Sequence, residues 1–164
     1  MKKTSIFLLT CLLTINLSAQ STKTIKLNEP SKSRKGDIMT AFQNRKSTNE
    51  YEKRDLSIRD LSDLLWVANG INRPESGKKT APSALNSQDI DVYVCKADGA
   101  YLYDAAKNEL RLITKKDLRP LMNGDRANNA PILLLLVADL SRYKAYDAKN
   151  PQANKRLNDM SALD

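Results

Sequence analysis

Pro131 is followed by seven apolar residues in a row, Ile132-Leu133-Leu134-Leu135-Leu136-Val137-Ala138. That run constrains the fold more than any other stretch. Its continuity suits a β-strand buried on both faces. The segments upstream can supply its sheet. Residues 89–96 alternate apolar and polar, Asp98-Gly99 is a hairpin turn signal, and residues 100–104 alternate again. Residues 109–114 pair plausibly with them across a turn at 105–108.

The clearest helix begins at Ser57. Ser57 can cap it, and Asp60 suits its positive end. Ile58, Leu61, Leu64, Leu65 and Ala68 are expected on one buried stripe, with Gly70 as a left-handed stop. Trp66 lies off that stripe and should face a partner subunit or a substrate pocket, or pack half-exposed. Residues 37–44 can form a short helix with Ile38, Ala41 and Phe42 on one side, and residues 50–55 are charged and turn-like. Residues 71–86 read as one long loop, residues 116–122 as a short helix and residues 123–130 as a loop. Residues from Pro151 onward read as the first turns of another helix. The expected fold class is α+β, with helices packed on a mostly antiparallel or mixed sheet.

The first 19 residues are expected to be a secretory signal peptide. Lys2 and Lys3 precede an apolar stretch over residues 6–15, and Ala19 is a small residue before Gln20. The apolar stretch is too short to span a bilayer. A lipidated Cys11 is a weaker reading, because the apolar residues continue past it. Export to the periplasm or beyond follows, with no stable membrane anchor. Residues 20–36 are polar and read as an exposed arm, leaving residues 37–164 as a single domain.

The formal charge of +8 falls by two on cleavage. The remaining charges are spread among acids, and with two Phe and one Trp there is little to stack on bases, so no nucleic-acid surface is expected. The chain has no histidine, which removes Ser-His-Asp and Cys-His catalysis and His-ligated metal centres. Cys95 lies in the alternating segment and reads as a small buried apolar residue. No side chain is expected to act as a catalytic acid, base, nucleophile or metal ligand. The lack of histidine does not count against chemistry carried by a bound cofactor, where no protein side chain need be acid, base or nucleophile.

Two segments could hold such a cofactor. Arg45-Lys46-Ser47 combines a guanidinium fork, a point charge and a hydroxyl, which suit phosphate oxygens. Alone it is more often a solvated helix end. Thr80-Ala81-Pro82-Ser83-Ala84-Leu85-Asn86 offers a rigid turn, backbone N–H groups and an amide that both donates and accepts. Alone it is more often a loop whose Asn and Ser satisfy their own backbone.

Together and in this order they resemble the nitroreductase family. The early basic motif of that family resembles Arg45-Lys46-Ser47-Thr48-Asn49-Glu50-Tyr51, and its Pro-Ser-x-x-Asn-x-Gln loop resembles Pro82-Ser83-Ala84-Leu85-Asn86-Ser87-Gln88. The helix and turn over residues 61–73 are similar to the branch holding SagB-type peptide-azoline dehydrogenases. The resemblance implies FMN, with Arg45, Lys46, Ser47 and Asn49 toward the phosphate and ribityl chain. Pro82, Ser83 and Asn86 would line the ring. It also implies a homodimer, NAD(P)H as donor, and ping-pong electron transfer to a nitro, quinone or similar small-molecule acceptor. Asn49 stands where the family has a second Arg, and Asp89-Ile90 where many members have Pro and an aromatic residue. Members continue into a Gly-rich flavin-contacting segment and a late basic residue, so this sequence is expected to be an N-terminal portion. A decayed, non-catalytic relative and a peptide-modifying flavin dehydrogenase are the alternatives.

Overall fold

The computed structural model describes residues 23–48, 50–123 and 130–143. The expected signal peptide, Asn49, most of the 123–130 loop and the helix expected from Pro151 lie outside the described residues.

The described part is an antiparallel sheet with one long helix against it. The strands are β1 (Thr24–Lys26), β4 (Ile90–Lys96), β5 (Gly99–Asp104), β6 (Glu109–Thr114) and β7 (Leu133–Ala138), in spatial order β1-β6-β5-β4-β7. A separate two-stranded ribbon joins β2 (Ile71–Arg73) to β3 (Lys78–Lys79). The helices are α1 (Ile38–Asn44), α2 (Ile58–Asn69) and α3 (Arg119–Asn123). This is the expected α+β class.

The central hairpin follows its alternation. Lys96 faces Gly99, so Ala97 and Asp98 form a two-residue turn. Gly99 has φ +146°, and a Cβ there would stand 2.4 Å from the Thr114 carbonyl oxygen, so only glycine fits. Val92, Val94, Tyr101, Tyr103 and Leu110 form the sheet side of the core, and Leu61 and Leu65 of α2 pack onto it. Cys95 is buried. Burial and the Asp117 carboxylate push its thiol above the usual value, which keeps it unreactive.

α2 starts as expected. The Asp60 N–H donates to Ser57 Oγ at 3.0 Å, and Ser57 Oγ–H donates to the Asp60 carboxylate at 2.6 Å. Its buried stripe is narrower than expected. Leu61, Ser62, Asp63, Leu65 and Asn69 are buried, whereas Ile58 and Leu64 are exposed. Polar residues are buried here because each has a partner. Asn69 Nδ2 donates to the Ile90 carbonyl at 2.8 Å, and Ser62 Oγ accepts the Asn28 N–H at 2.9 Å. Gly70 ends the helix without a left-handed turn, at φ −79° and ψ 159°. Glycine is needed for space: a Cβ would lie 2.4 Å from Trp66 Cδ1 and 2.6 Å from the Trp66 carbonyl oxygen.

Three further expectations are corrected. Residues 23–34 are not an exposed arm: β1 pairs with β6, Leu27 is buried in the core, and the segment then crosses α2. Ser31 N–H donates to Asp63 Oδ1 at 2.7 Å, and Arg34 binds both Asp63 and Asp60. Its polar composition serves those anchors. Residues 71–86 are not one loop, because β2 and β3 close around a turn at 74–77. β7 is not buried on both faces. Among the described residues it pairs only with β4, and Leu136 and Val137 are 58% and 39% exposed. A leucine run reports hydrophobicity, and whether its strand ends up central or at an edge depends on chain packing far from it.

Candidate functional site

The 80–89 loop is fastened at both ends. Thr80 N–H donates to the Gly70 carbonyl at 2.8 Å, and Thr80 Oγ1 donates to the Trp66 carbonyl at 3.0 Å. Thr80 thereby adds a second donor to the Trp66 carbonyl, which already accepts the Gly70 N–H, and satisfies the Gly70 carbonyl at the end of α2. At the other end Asp89 is fully buried, accepts Ser87 Oγ–H at 2.7 Å, and its carbonyl accepts the Asp139 N–H at 2.8 Å.

Between these anchors the backbone is strained. Leu85, Asn86 and Gln88 have φ of +55°, +54° and +50°. Asparagine tolerates this region, but leucine and glutamine rarely enter it, and each such residue costs on the order of 1–3 kcal/mol. Internal hydrogen bonds hold the shape. Asn86 N–H donates to the Ser83 carbonyl at 3.1 Å, Gln88 N–H donates to Ser83 Oγ at 2.9 Å, and Gln88 Nε2 donates to the Gly77 carbonyl at 3.2 Å.

Arg142 closes the arrangement. It follows β7 in a short 3₁₀ turn, Leu140–Arg142, capped by Asp139. Its Nη1 donates to the Gln88 carbonyl at 2.9 Å, and its Nη2 donates to both Asp91 carboxylate oxygens at 2.8 Å. Its Nε lies 3.2 Å from Asp139. One guanidinium therefore ties the loop, the start of β4 and the end of β7 together. Nearby, partial burial and the Arg142 charge push the Lys79 ammonium below its ordinary value. Sequence reasoning missed Arg142, and it named Thr80 and Asp89 without giving either an anchoring role. A basic residue a few positions after the apolar strand was the visible signal for the first.

The sequence-derived residues divide as follows. Ser83 spends its acceptor on Gln88, so it partly satisfies its own loop. Pro82 is exposed, and so is Asn86, whose side-chain amide has no hydrogen-bond partner among the described residues. Arg45 ends α1, its N–H donating to the Phe42 carbonyl at 3.2 Å. Arg45, Lys46 and Ser47 are exposed, and no side-chain hydrogen bond or ion pair engages them among the described residues. Tyr51 Oη donates to the Thr48 carbonyl at 3.3 Å, closing a turn around the motif. No hydrogen bond joins the two candidate segments among the described residues. Trp66 is partly buried. Its Nε1 donates to the Ile71 carbonyl at 3.2 Å, and Lys32 Nζ lies 5.9 Å from its ring centroid.

A sequence model described as "Nitroreductase family" matches residues 42–162. Among solved structures, a nitroreductase-family protein of Ralstonia eutropha JMP134 is 36% identical, with a TM-score of 0.73 over 88% of this chain and 66% of its own. A second, from Anabaena variabilis ATCC 29413, is 20% identical, with a TM-score of 0.57 over 73% of this chain and 28% of its own. The McbBCD microcin synthetase complex of E. coli, with truncated pro-MccB17 bound, is 16% identical, with a TM-score of 0.53 over 96% of this chain and 64% of its own. The last two share the fold alone. The chain spans just under two thirds, or less, of the length of each of these proteins. No curated protein matches it. The match over residues 42–162 covers both candidate segments and most of the sheet, and the chain belongs to the nitroreductase family.

Proposed function

We propose that this chain carries the flavin-binding part of an exported FMN-dependent oxidoreductase that passes electrons from NAD(P)H to a nitro, quinone or similar small-molecule acceptor. The observation that carries the reading is the 83–88 turn. Three non-glycine residues at positive φ are held by Ser83, Asp89 and Arg142, while the Asn86 amide has no partner among the described residues. Strain kept in place by surrounding contacts is characteristic of functional loops. The residues fit the group. Arg45, Lys46 and Ser47 are free donors for a phosphate, and Pro82, Ser83 and Asn86 offer an apolar ring edge, a hydroxyl and an amide for a flat heterocycle. Asn49, the remaining member of the basic motif, would add a neutral contact beside them. FMN, when bound, supplies two-electron redox chemistry.

A homodimer is part of the proposal. Ile38, Met39 and Phe42 of α1 are 66%, 61% and 63% exposed, and α1 buries none of its residues. Such a face calls for a partner. The boundary at residue 19 and the export of the mature chain also belong to the proposal, motivated by the N-terminal sequence. No helix among the described residues is long and apolar enough to cross a membrane.

The test is the visible spectrum of the purified chain after incubation with FMN and desalting. A retained flavin spectrum is expected, and a colourless protein overturns the claim that this chain forms the pocket. Arg45→Ala should weaken FMN binding by about 1.5–3 kcal/mol, the worth of one hydrogen bond to a charged group. Unchanged affinity would remove Arg45 from the phosphate site.

A further inference from the structure

The β2–β3 ribbon carries a charge arrangement that costs stability. Ile71 pairs with Lys79, and Arg73 then pairs with Lys78, so Asn72 is an extra residue in the ladder, a bulge. A regular ladder continuing from Ile71 and Lys79 would set neutral Asn72 opposite Lys78. The bulge sets Arg73 there instead, and the two cations share one face as direct cross-strand partners. Like charges directly opposite each other destabilise a sheet. Bulges that re-aim a side chain are over-represented beside active sites.

Neither charge is neutralised. Arg73 and Lys78 are exposed, and neither forms an ion pair among the described residues, with Glu75 of the connecting turn or any other acid. The Arg73 guanidinium is nevertheless held still. Its Nη2 donates to the Lys79 carbonyl at 2.7 Å and its Nε to Asn72 Oδ1 at 3.1 Å. Its Nη1 has no partner among the described residues. A fork pinned along one side and open on the other is preorganised for phosphate oxygens. The ribbon is also joined to the candidate site. The Gly77 carbonyl, next to Lys78, accepts Gln88 Nε2 at 3.2 Å, two residues past Asn86.

We propose that Arg73 and Lys78 hold the 2′-phosphate of the reducing nucleotide, so that the donor is NADPH in preference to NADH. The inference rests on the flavin reading above and deepens it. A phosphate monoester carries nearly two negative charges at neutral pH and three acceptor oxygens, which matches two adjacent cations. A carboxylate or a phosphodiester brings one charge and would leave the repulsion half relieved. In dinucleotide sites an arginine beside the ribose accommodates a 2′-phosphate, and an exposed position at the rim of the loop suits that role. Lys79 stands on the other face of β3, where Asp89 and Asp91 act on its charge, and it is not part of the pair.

The experiment titrates the full-length chain with NADP⁺, NAD⁺ and inorganic phosphate in a calorimeter, with and without FMN. The two nucleotides differ only in the 2′-phosphate. NADP⁺ is expected to bind about tenfold tighter or more, the worth of one charged hydrogen bond. Arg73→Gln should remove most of that preference. Lys78→Gln, a surface change, should reduce it about twofold to fivefold, as for an exposed ion pair, and leave NAD⁺ unaffected. The urea midpoint of Lys78→Gln should stay level or rise, because a like-charge pair is lost. Equal binding of the two nucleotides, or binding of neither, overturns the proposal. So does an NADP⁺ preference that survives both substitutions. Inorganic phosphate binding as tightly as NADP⁺ overturns it too, by assigning the pair to a free ion. FMN retention is read separately from the spectrum, so failure here leaves the flavin reading to its own test.

Discussion

Arg142→Ala is the perturbation that best separates a positioned loop from a merely folded one. The substitution removes the donor to the Gln88 carbonyl at 2.9 Å and both contacts to Asp91 at 2.8 Å. Hydrogen bonds to charged groups are worth about 1.5–3 kcal/mol when buried, and exposed ion pairs about 0.2–1 kcal/mol. The Arg142 and Asp91 side chains are 34% and 26% exposed, between those limits. The expected cost is therefore about 1–2 kcal/mol, a factor of roughly 5–30 in an opening equilibrium. Because the contacts lie at one edge of the sheet, the opening should be local. Hydrogen exchange is the assay. The N–H groups of Ser87, Gln88 and Asp139, bonded to Ala84, Ser83 Oγ and Asp89, should lose protection by that factor. Val94 and Leu110 in the core should not change. FMN affinity should fall by a similar factor, and Arg142→Lys should recover little, since an ammonium cannot reach three acceptors as a fork does. Unchanged exchange at Gln88, or equal loss across the whole sheet, would refute the clamp.

Other expectations follow from the same contacts. Gly70→Ala forces a Cβ within 2.6 Å of the Trp66 carbonyl oxygen and should destabilise the fold by about 1–3 kcal/mol, read as a lower urea midpoint. An unchanged midpoint would mean the end of α2 shifts freely. Leu27→Ala, at a site only 5% exposed, should cost about 2–5 kcal/mol, whereas a mere arm residue would cost nothing measurable. Asp63 accepts the Ser31 N–H and binds Arg34, and these hold its carboxyl below its ordinary value of 3.8. A lowered carboxyl stabilises fully above the unfolded value and stops doing so as pH falls through the folded one, so acid below about pH 4 should release the crossing segment. Protection of the Ser31 N–H followed by exchange would show it, and persistence well below that pH would rule out the carboxylate as the anchor.

Much of this protein is written locally. Alternation marked β4, β5 and β6, the Ser57 cap marked α2, and the segments at residues 45–47 and 82–86 were visible as motifs. Each rests on neighbours a few residues apart, where periodicity and capping operate. What failed was whatever depended on distant chain. The polar composition of residues 23–34 concealed a core leucine and hydrogen bonds to α2 that span 32 and 34 residues. The leucine run of β7 could not announce that it would have a single partner strand among the described residues. Gly70 was legible as a stop, but its cause is the Trp66 backbone lying against it and not a left-handed turn.

The candidate site divides in the same way. Sequence alone determined the family, the residue types and the order of the two segments, because motif spacing survives in the chain itself. Only the tertiary structure decided that the 83–88 turn is strained and that a guanidinium 54 residues away holds it. It likewise decided that, among the described residues, the Asn86 amide has no partner and the Tyr103 phenol is buried unpaired. Strain and unpaired polar atoms are properties of a packed environment. A residue acquires them only when remote parts of the chain remove its other choices.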